Sequence, residues 1–246
     1  MGLSISRFVL AAAGITLALL GGCTGGHSPG QVDQAHVHAG GVHVVAETPG
    51  TCPICEVYEL RRDSVVRIRA GSSLGTGVVI DNNGTVLTNA HVVGDSATVT
   101  LETYRGDMIR GVVVRRGMGI DLALISADPT DIQWQGVMPI AEDPPIVGSK
   151  VYVIGHPAGL GWTLTEGIIS ARRRVGEVEK TEIIQITAAV SPGNSGGPAF
   201  DGDGHWIGTV TSKLVGHGLE NISFVIPASE LHRFLSGGAA SPPRKP

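Results

Sequence analysis

The sequence predicts an all-β protein of two packed six-stranded antiparallel β-barrels, closed by a short C-terminal helix. Three observations lead there. Short runs rich in Val, Ile and Thr recur in two sets of about six, each run bounded by turn signals. Glycine fills 36 of 246 positions, which suits tight turns between short strands. No long helical period alternates with these runs, which excludes a parallel α/β sheet. Two barrels with a cleft between them bury such strands without exposed edges, although no sequence repeat relates the two sets.

Taken from the N-terminus, Arg7 precedes an apolar run from Phe8 to Leu20 that is too short to span a bilayer as a helix. Residues 1–22 read as a secretory signal peptide. The run ends in Leu20-Gly21-Gly22-Cys23, an aliphatic residue and two small ones before a cysteine. That pattern resembles the lipobox of bacterial lipoproteins, which implies lipidation of Cys23 and anchoring to a membrane by several acyl chains. The chain is therefore expected outside the cytoplasm, on the periplasmic side if the organism has an outer membrane. Residues 23–60 read as a flexible His- and Cys-containing tether, without helical or strand period up to about Pro49.

The folded domain is expected over 61–236. Its first set of strands comprises SVVRIRA (64–70), TGVVI (76–80), TVLTN (85–89), ATVTL (97–101), GVVVRR (111–116) and DLALISA (121–127). A proline-bearing loop follows, with Pro129, Pro139, Pro144 and Pro145. The second set comprises KVYVIGH (150–156), LTEGIISARR (164–173), IIQITA (183–188), GPAF (197–200), WIGTVTS (206–212) and NISFVI (221–226). ASELHRFL (228–235) places Leu231, Phe234 and Leu235 on one side of a short amphipathic helix, and residues 237–246 read as a disordered tail.

One stretch fits neither helix nor central strand. SPGNSGGPAF (191–200) surrounds Ser195 with Gly193, Gly196 and Gly197 and brackets them with Pro192 and Pro198. It suits a rigid loop whose N–H groups face a ligand. A nucleophilic serine needs a base, and histidine is the usual one. His91 sits where strand 85–89 ends and one helical turn can begin, at a barrel rim. Asp121 leads an apolar strand, so its carboxylate is partly buried and needs a donor such as an imidazole N–H. Taken singly, each has an ordinary structural reading; the three together point to a Ser-His-Asp arrangement. The G-x-S-x-G pattern of α/β-hydrolases is also met by GNSGG, but there the acid and histidine follow the serine behind a strand–helix elbow, which this chain lacks.

At these residues the chain resembles a known family. GTGVVIDNNGTVLTNAHVV, DLALI, VIGHPAGL, TLTEGIISA and SPGNSGGPAF with IGTV and ISFVIP, in that order, resemble the protease domain of the HtrA/Deg family of trypsin-like serine proteases, which have the chymotrypsin-like fold. The resemblance runs from about Ser64 to Pro227. It implies a serine endopeptidase with His91 as general base, Asp121 as its orienting partner and Ser195 as nucleophile, and an oxyanion hole built from the N–H groups of Gly193 and Ser195. It also implies a substrate pocket with Ala189 at its base and Thr209, Val210 and Thr211 along one wall. With no acidic residue there, a preference for small or medium aliphatic residues is expected, and the strand 209–212 is expected to pair with extended polypeptide. Against the family, the protein is expected to lack a PDZ domain after the protease and the long regulatory loop of some members, and the sequence has Ile186-Thr187 where Thr-Asp is common and His156 where the family usually has Asn. His156 reads as structural.

Composition limits the partners. Hydrophobic residues make up 42% and charged residues 16%, enough apolar content for a sizeable core, and a net charge of −4 gives no reason to expect nucleic acid. The run Arg172-Arg173-Arg174 is followed by Glu177, Glu179 and Glu182 and reads as a solvated loop. Polypeptide substrates and a membrane are the expected partners, with a homo-oligomer compatible with the family. No cofactor is expected. Cys52 and Cys55 form a CxxC that reads as a disulfide in an oxidising compartment or, with His36, His38 and His43, as a metal site. Two alternatives to the peptidase therefore stand: a catalytically silent protease-like binding module, and a metal-binding lipoprotein.

Overall fold

The computed structural model describes residues 53–128, 138–175, 181–211 and 222–237. The lipobox, most of the tether and the tail lie outside them.

Twelve strands close into two barrels. The first contains β1 (Val65–Ala70), β2 (Ser73–Val79), β3 (Thr85–Thr88), β4 (Thr98–Glu102), β5 (Met108–Arg116) and β6 (Ala123–Ala127), ordered β1-β2-β3-β6-β5-β4 around the ring. The second contains β7 (Lys150–Gly155), β8 (Thr163–Val175), β9 (Thr181–Ile186), β10 (Pro198–Phe200), β11 (Trp206–Thr211) and β12 (Ser223–Pro227), ordered β10-β11-β12-β9-β8-β7. Adding six to each number of the first ring gives the second, so the barrels share one antiparallel topology that the amino-acid sequence does not display as a repeat. Irregular register between Val113 and Arg115 on β5, and between Ile169 and Ala171 on β8, bends the long strands around the ring.

The period-2 pattern of the sequence becomes inside and outside. Val66, Ile68, Val86, Leu101 and Ile125 fill the first barrel, and Val151, Val153, Ile169, Ile184 and Ile207 fill the second. A third cluster joins the two, with Val78 and Leu87 from one barrel meeting Ile154, Phe200 and Trp206 from the other. Trp206 is completely buried and donates Nε1–H to the Gly208 carbonyl at 2.7 Å. Truncating a buried aromatic of this kind costs about 3–5 kcal/mol.

Among the described residues three α-helices complete the domain. One turn, α2 (Ala90–Val93), follows β3 and carries His91. The C-terminal α3 (Ala228–Leu235) turns Leu231 and Phe234 into the cluster between the barrels, and Arg115 lies 4.3 Å over the Phe234 ring. The remaining helix, α1 (Pro53–Arg61), corrects the tether expectation. Val57 is buried in the cluster between the barrels, and Tyr58 donates its hydroxyl to the Trp162 carbonyl at 3.0 Å. The stretch 53–60 is thus part of the folded domain. Its apolar residues Ile54, Val57 and Tyr58 have a surface to cover only once the barrels exist.

Candidate active site

The ends of β3, β6 and β11 and the loop before β10 converge on one region. His91 on α2 points Nδ1 at Asp121 Oδ2 at 2.6 Å, and its main-chain N–H donates to Asp121 Oδ1 at 3.0 Å. An ionised carboxylate only accepts, so Nδ1 carries a proton, and in the neutral form of the ring the lone pair sits on Nε2. Thr211 donates its hydroxyl to the same Asp121 Oδ2 at 3.0 Å. Asn89 holds the main chain beside it, Nδ2 donating to the Asp121 carbonyl at 2.8 Å. Burial pushes the Asp121 carboxyl up, but the bonds from His91 and Thr211 outweigh it and hold the acid below its ordinary 3.8. The aspartate belongs to the first barrel and the threonine to the second, so one hydrogen bond ties the barrels together at this point.

Ser195 is 3% exposed and lies in the second barrel's loop 191–197. Its carbonyl accepts the Thr76 N–H at 2.8 Å. The neighbouring glycine shows how close the parts lie: a Cβ added at Gly75 would come within 2.5 Å of Val92, next to His91, and 3.2 Å of the Ser195 carbonyl. On the other side the serine loop is stitched to β11, with Gly196 N–H donating to Val210 O at 2.9 Å and Val210 N–H donating to Gly197 O at 2.8 Å. Gly196 is required here twice over. Its φ is +87°, and a Cβ would fall 2.1 Å from the Thr76 carbonyl.

Gly193 has a φ of +105°, and its two flanking peptides are each pinned. The Pro192 carbonyl accepts Ala158 N–H at 2.8 Å, and the Gly193 carbonyl accepts Thr76 Oγ1–H at 2.6 Å. The described residues contain no cis peptide, so the N–H of Gly193 points opposite to the Pro192 carbonyl. That N–H donates to no group among the described residues. Behind the loop, His156 is 1% exposed and places Nδ1 3.0 Å from Thr76 Oγ1, while its Nε2 has no partner among the described residues. Burial, with the Arg67 guanidinium adding to it, pushes this imidazole down from 6.5 to about 3.

The wall residues of the pocket come out differently from the sequence reading. Ala189 is exposed, and its carbonyl accepts the Thr165 hydroxyl at 3.0 Å. Thr209 and Val210 are fully buried, with Val210 in the core of the second barrel. β11 is paired with β10 at Thr209 and with β12 from Gly208 to Thr211. Neither side chain lines an open wall, and Thr209 has no free strand edge; closing the barrel consumed both. Thr211, expected in the same wall, holds Asp121 instead. Residues 212–221, which continue this strand, lie outside the described residues.

Cys55 is disulfide-bonded, so its sulfur is not available as a thiolate ligand. Cys23, Cys52, His36, His38 and His43 lie outside the described residues. Elsewhere Asp201, Asp203 and His205 gather three ligand-type atoms within 4.8 Å. Asp201 spends Oδ1 on the N–H groups of Asp203 and His205, which is the bonding of a turn between β10 and β11. Among the described residues no helix is long and apolar enough to cross a membrane.

Sequence reasoning missed Thr76. It lies in Gly75-Thr76-Gly77, and a polar residue between two glycines in a buried strand was the available signal of close approach by another segment.

Comparison with known proteins agrees with this geometry. The trypsin-like peptidase domain family matches residues 75–208, more than half of the chain. A "Probable periplasmic serine endoprotease DegP-like" of Brucella suis biovar 1 is 40% identical over 168 residues, covering 63% of this chain and 31% of that protein. The chain thus spans about a third of the length of the curated relatives of this kind. Among solved structures, a serine endoprotease from Yersinia pestis superposes with a TM-score of 0.65 at 29% identity, covering 79% of this chain and 69% of the other. The Rv3671c protease in its inactive form gives a TM-score of 0.67 at 28% identity, covering 80% of this chain and 98% of the other. Two closed barrels of the chymotrypsin-like kind, a histidine bonded to an aspartate at their junction and a family match across the strands that carry both lead to one conclusion: this chain belongs to the trypsin-like peptidase domain family, with HtrA and DegP serine proteases among its relatives.

Proposed function

We propose that the chain is a serine endopeptidase that hydrolyses peptide bonds of unfolded or extended polypeptides outside the cytoplasm. In this reading Ser195 Oγ attacks the scissile carbonyl carbon and passes its proton to His91 Nε2. The imidazolium so formed is stabilised by Asp121, which already holds Nδ1–H, and the same proton is then given to the leaving amine. The carbonyl oxygen, now an anion, is received by the N–H groups of Gly193 and Ser195. Water repeats the cycle on the acyl-enzyme.

The observation that carries this reading is the pinned Gly193 peptide. A main-chain N–H turned opposite to the anchored Pro192 carbonyl and without an acceptor among the described residues is a donor held ready, and one such donor is worth about 3 kcal/mol of transition-state stabilisation. The lipobox at Cys23 supports attachment to a membrane, and the periplasmic designation of the Brucella relative supports an extracytoplasmic site. The absence of an acidic residue at Ala189 supports cleavage after small or medium aliphatic residues.

The test is labelling by a fluorophosphonate probe, with Ser195→Ala and His91→Ala as controls. Labelling of the parent that disappears in both variants is the expected result. A parent that does not label while folded leaves the chain a binding module with a protease fold.

A further inference from the structure

We propose that His156 is a positioning residue of the oxyanion loop: its Nδ1–H commits the hydroxyl proton of Thr76 to the Gly193 carbonyl and thereby holds Gly193 in its donor-out conformation. The inference rests on the peptidase reading above and deepens it.

Thr76 Oγ1 has a single proton and lies within bonding distance of two groups, the Gly193 carbonyl at 2.6 Å and His156 Nδ1 at 3.0 Å. The carbonyl can only accept, so the hydroxyl proton goes to Gly193. The bond to His156 then exists only if Nδ1 is the donor. That fixes the tautomer as Nδ1–H with a bare Nε2, and Nε2 is indeed the ring atom without a partner among the described residues. The ring is buried and stands edge-on to Trp162, with centroids 4.6 Å apart, so it has no room to turn over and exchange its nitrogens. Trp162 is fixed in turn, its Nε1–H donating to the Val65 carbonyl at 3.0 Å.

The main chain of the same residue contacts the same loop. A Cβ added at Gly193 would lie 2.2 Å from the His156 carbonyl oxygen, so the two backbones are in contact. Two residues on, Ala158 N–H holds the Pro192 carbonyl, with Ala158 itself at a φ of +51°. A glycine has little intrinsic preference between its backbone wells. Gly193 keeps one because the peptides on either side of it are both anchored to the segment around His156, one through Ala158 and one through Thr76. An acceptor or an apolar group at position 156 releases the Thr76 hydroxyl to rotate, and the 193–194 peptide loses its anchor. An asparagine at this place would also offer a side-chain N–H as the donor.

The experiment compares His156→Leu, His156→Asn and Thr76→Val in the full chain, measuring kcat and KM on a peptide substrate. His156→Leu and Thr76→Val are expected to lower kcat by roughly 10- to 100-fold, part of the loss that follows removal of an oxyanion donor, with KM changed by less than about 3-fold. His156→Asn is expected to recover most of kcat. A leucine variant that keeps its kcat, or an asparagine variant as impaired as leucine, overturns the proposal. A second measurement needs no activity: long-range ¹H–¹⁵N correlation on the Ser195→Ala chain reads the His156 tautomer. Nδ1–H at neutral pH is expected, and an Nε2–H ring or an imidazolium overturns the proposal whatever the kinetics. If the parent neither labels nor turns over, the peptidase reading fails first, and the tautomer then decides the structural half of the proposal alone.

Discussion

The buried imidazole of His156 makes this protein sensitive to mild acid in a way that can be calculated. The ring is 1% exposed and lies against Trp162, with its Nε2 unpartnered among the described residues and the Arg67 guanidinium nearby. In the folded chain it titrates at about 3, against 6.5 when free. As pH falls below 6.5 the unfolded chain takes up a proton that the folded chain refuses, so stability is lost from there down to about 3, where both forms are protonated. The slope is about 1.4 kcal/mol per pH unit, so lowering the pH from about 7 to about 4.5 removes about 2–3 kcal/mol through this ring alone. That is a large share of the roughly 5–15 kcal/mol that a domain has in total. The assay is urea unfolding at both pH values, in a Ser195→Ala background that prevents self-cleavage, with and without His156→Asn. The parent is expected to lose about 2–3 kcal/mol more than the variant between the two conditions. Other histidines and carboxylates, Asp121 included, are common to both chains and cancel. Equal losses in the two chains would refute the reasoning.

Other expectations follow from the same geometry. Thr211→Val keeps the shape but strips one donor from the partly buried Asp121 carboxylate, and is expected to lower kcat by roughly 5- to 50-fold, the equivalent of about 1–2 kcal/mol, in a steady-state peptide assay. Gly196→Ala drives a Cβ to within 2.1 Å of the Thr76 carbonyl at a φ of +87° and is expected to cost several kcal/mol. Gly71→Ala, at a φ of +59° with nothing within 4 Å, is expected to cost only about 1 kcal/mol, and thermal melts of the two distinguish a clash from backbone strain alone. On a library of peptides differing at the residue before the cleaved bond, Val and Ala are expected to be preferred, and cleavage after Lys would contradict the reading of Ala189. Reduction is expected to add the mass of two hydrogens to the native chain, and Cys52→Ser to abolish that gain if Cys52 is the partner of Cys55.

How much of this was written in the chain itself varies by element. The strands and the C-terminal helix were legible because apolar period and the turn chemistry between runs are local properties: the run at 150–156 is β7 at Lys150–Gly155, and that at 228–235 is α3 at Ala228–Leu235. The glycine-framed Ser195, and His91 at the end of a strand, could be singled out because their local sequence makes sense only as a loop and a rim. α1 was not legible, since its few apolar residues have no period strong enough to announce a helix until the barrels offer Val57 and Tyr58 a surface to cover.

The sequence by itself therefore determined the fold class, the strands and the residue types able to carry out acyl transfer. Tertiary structure alone decided which polar groups meet: that Thr211 of one barrel bonds Asp121 of the other, that Val210 turns into a core, and that Thr76 stands between His156 and Gly193. The physical reason is range. Backbone preference and apolar period act over a few neighbouring residues, whereas a hydrogen bond between residues 117 positions apart has no local signature and exists only after two barrels have closed and packed.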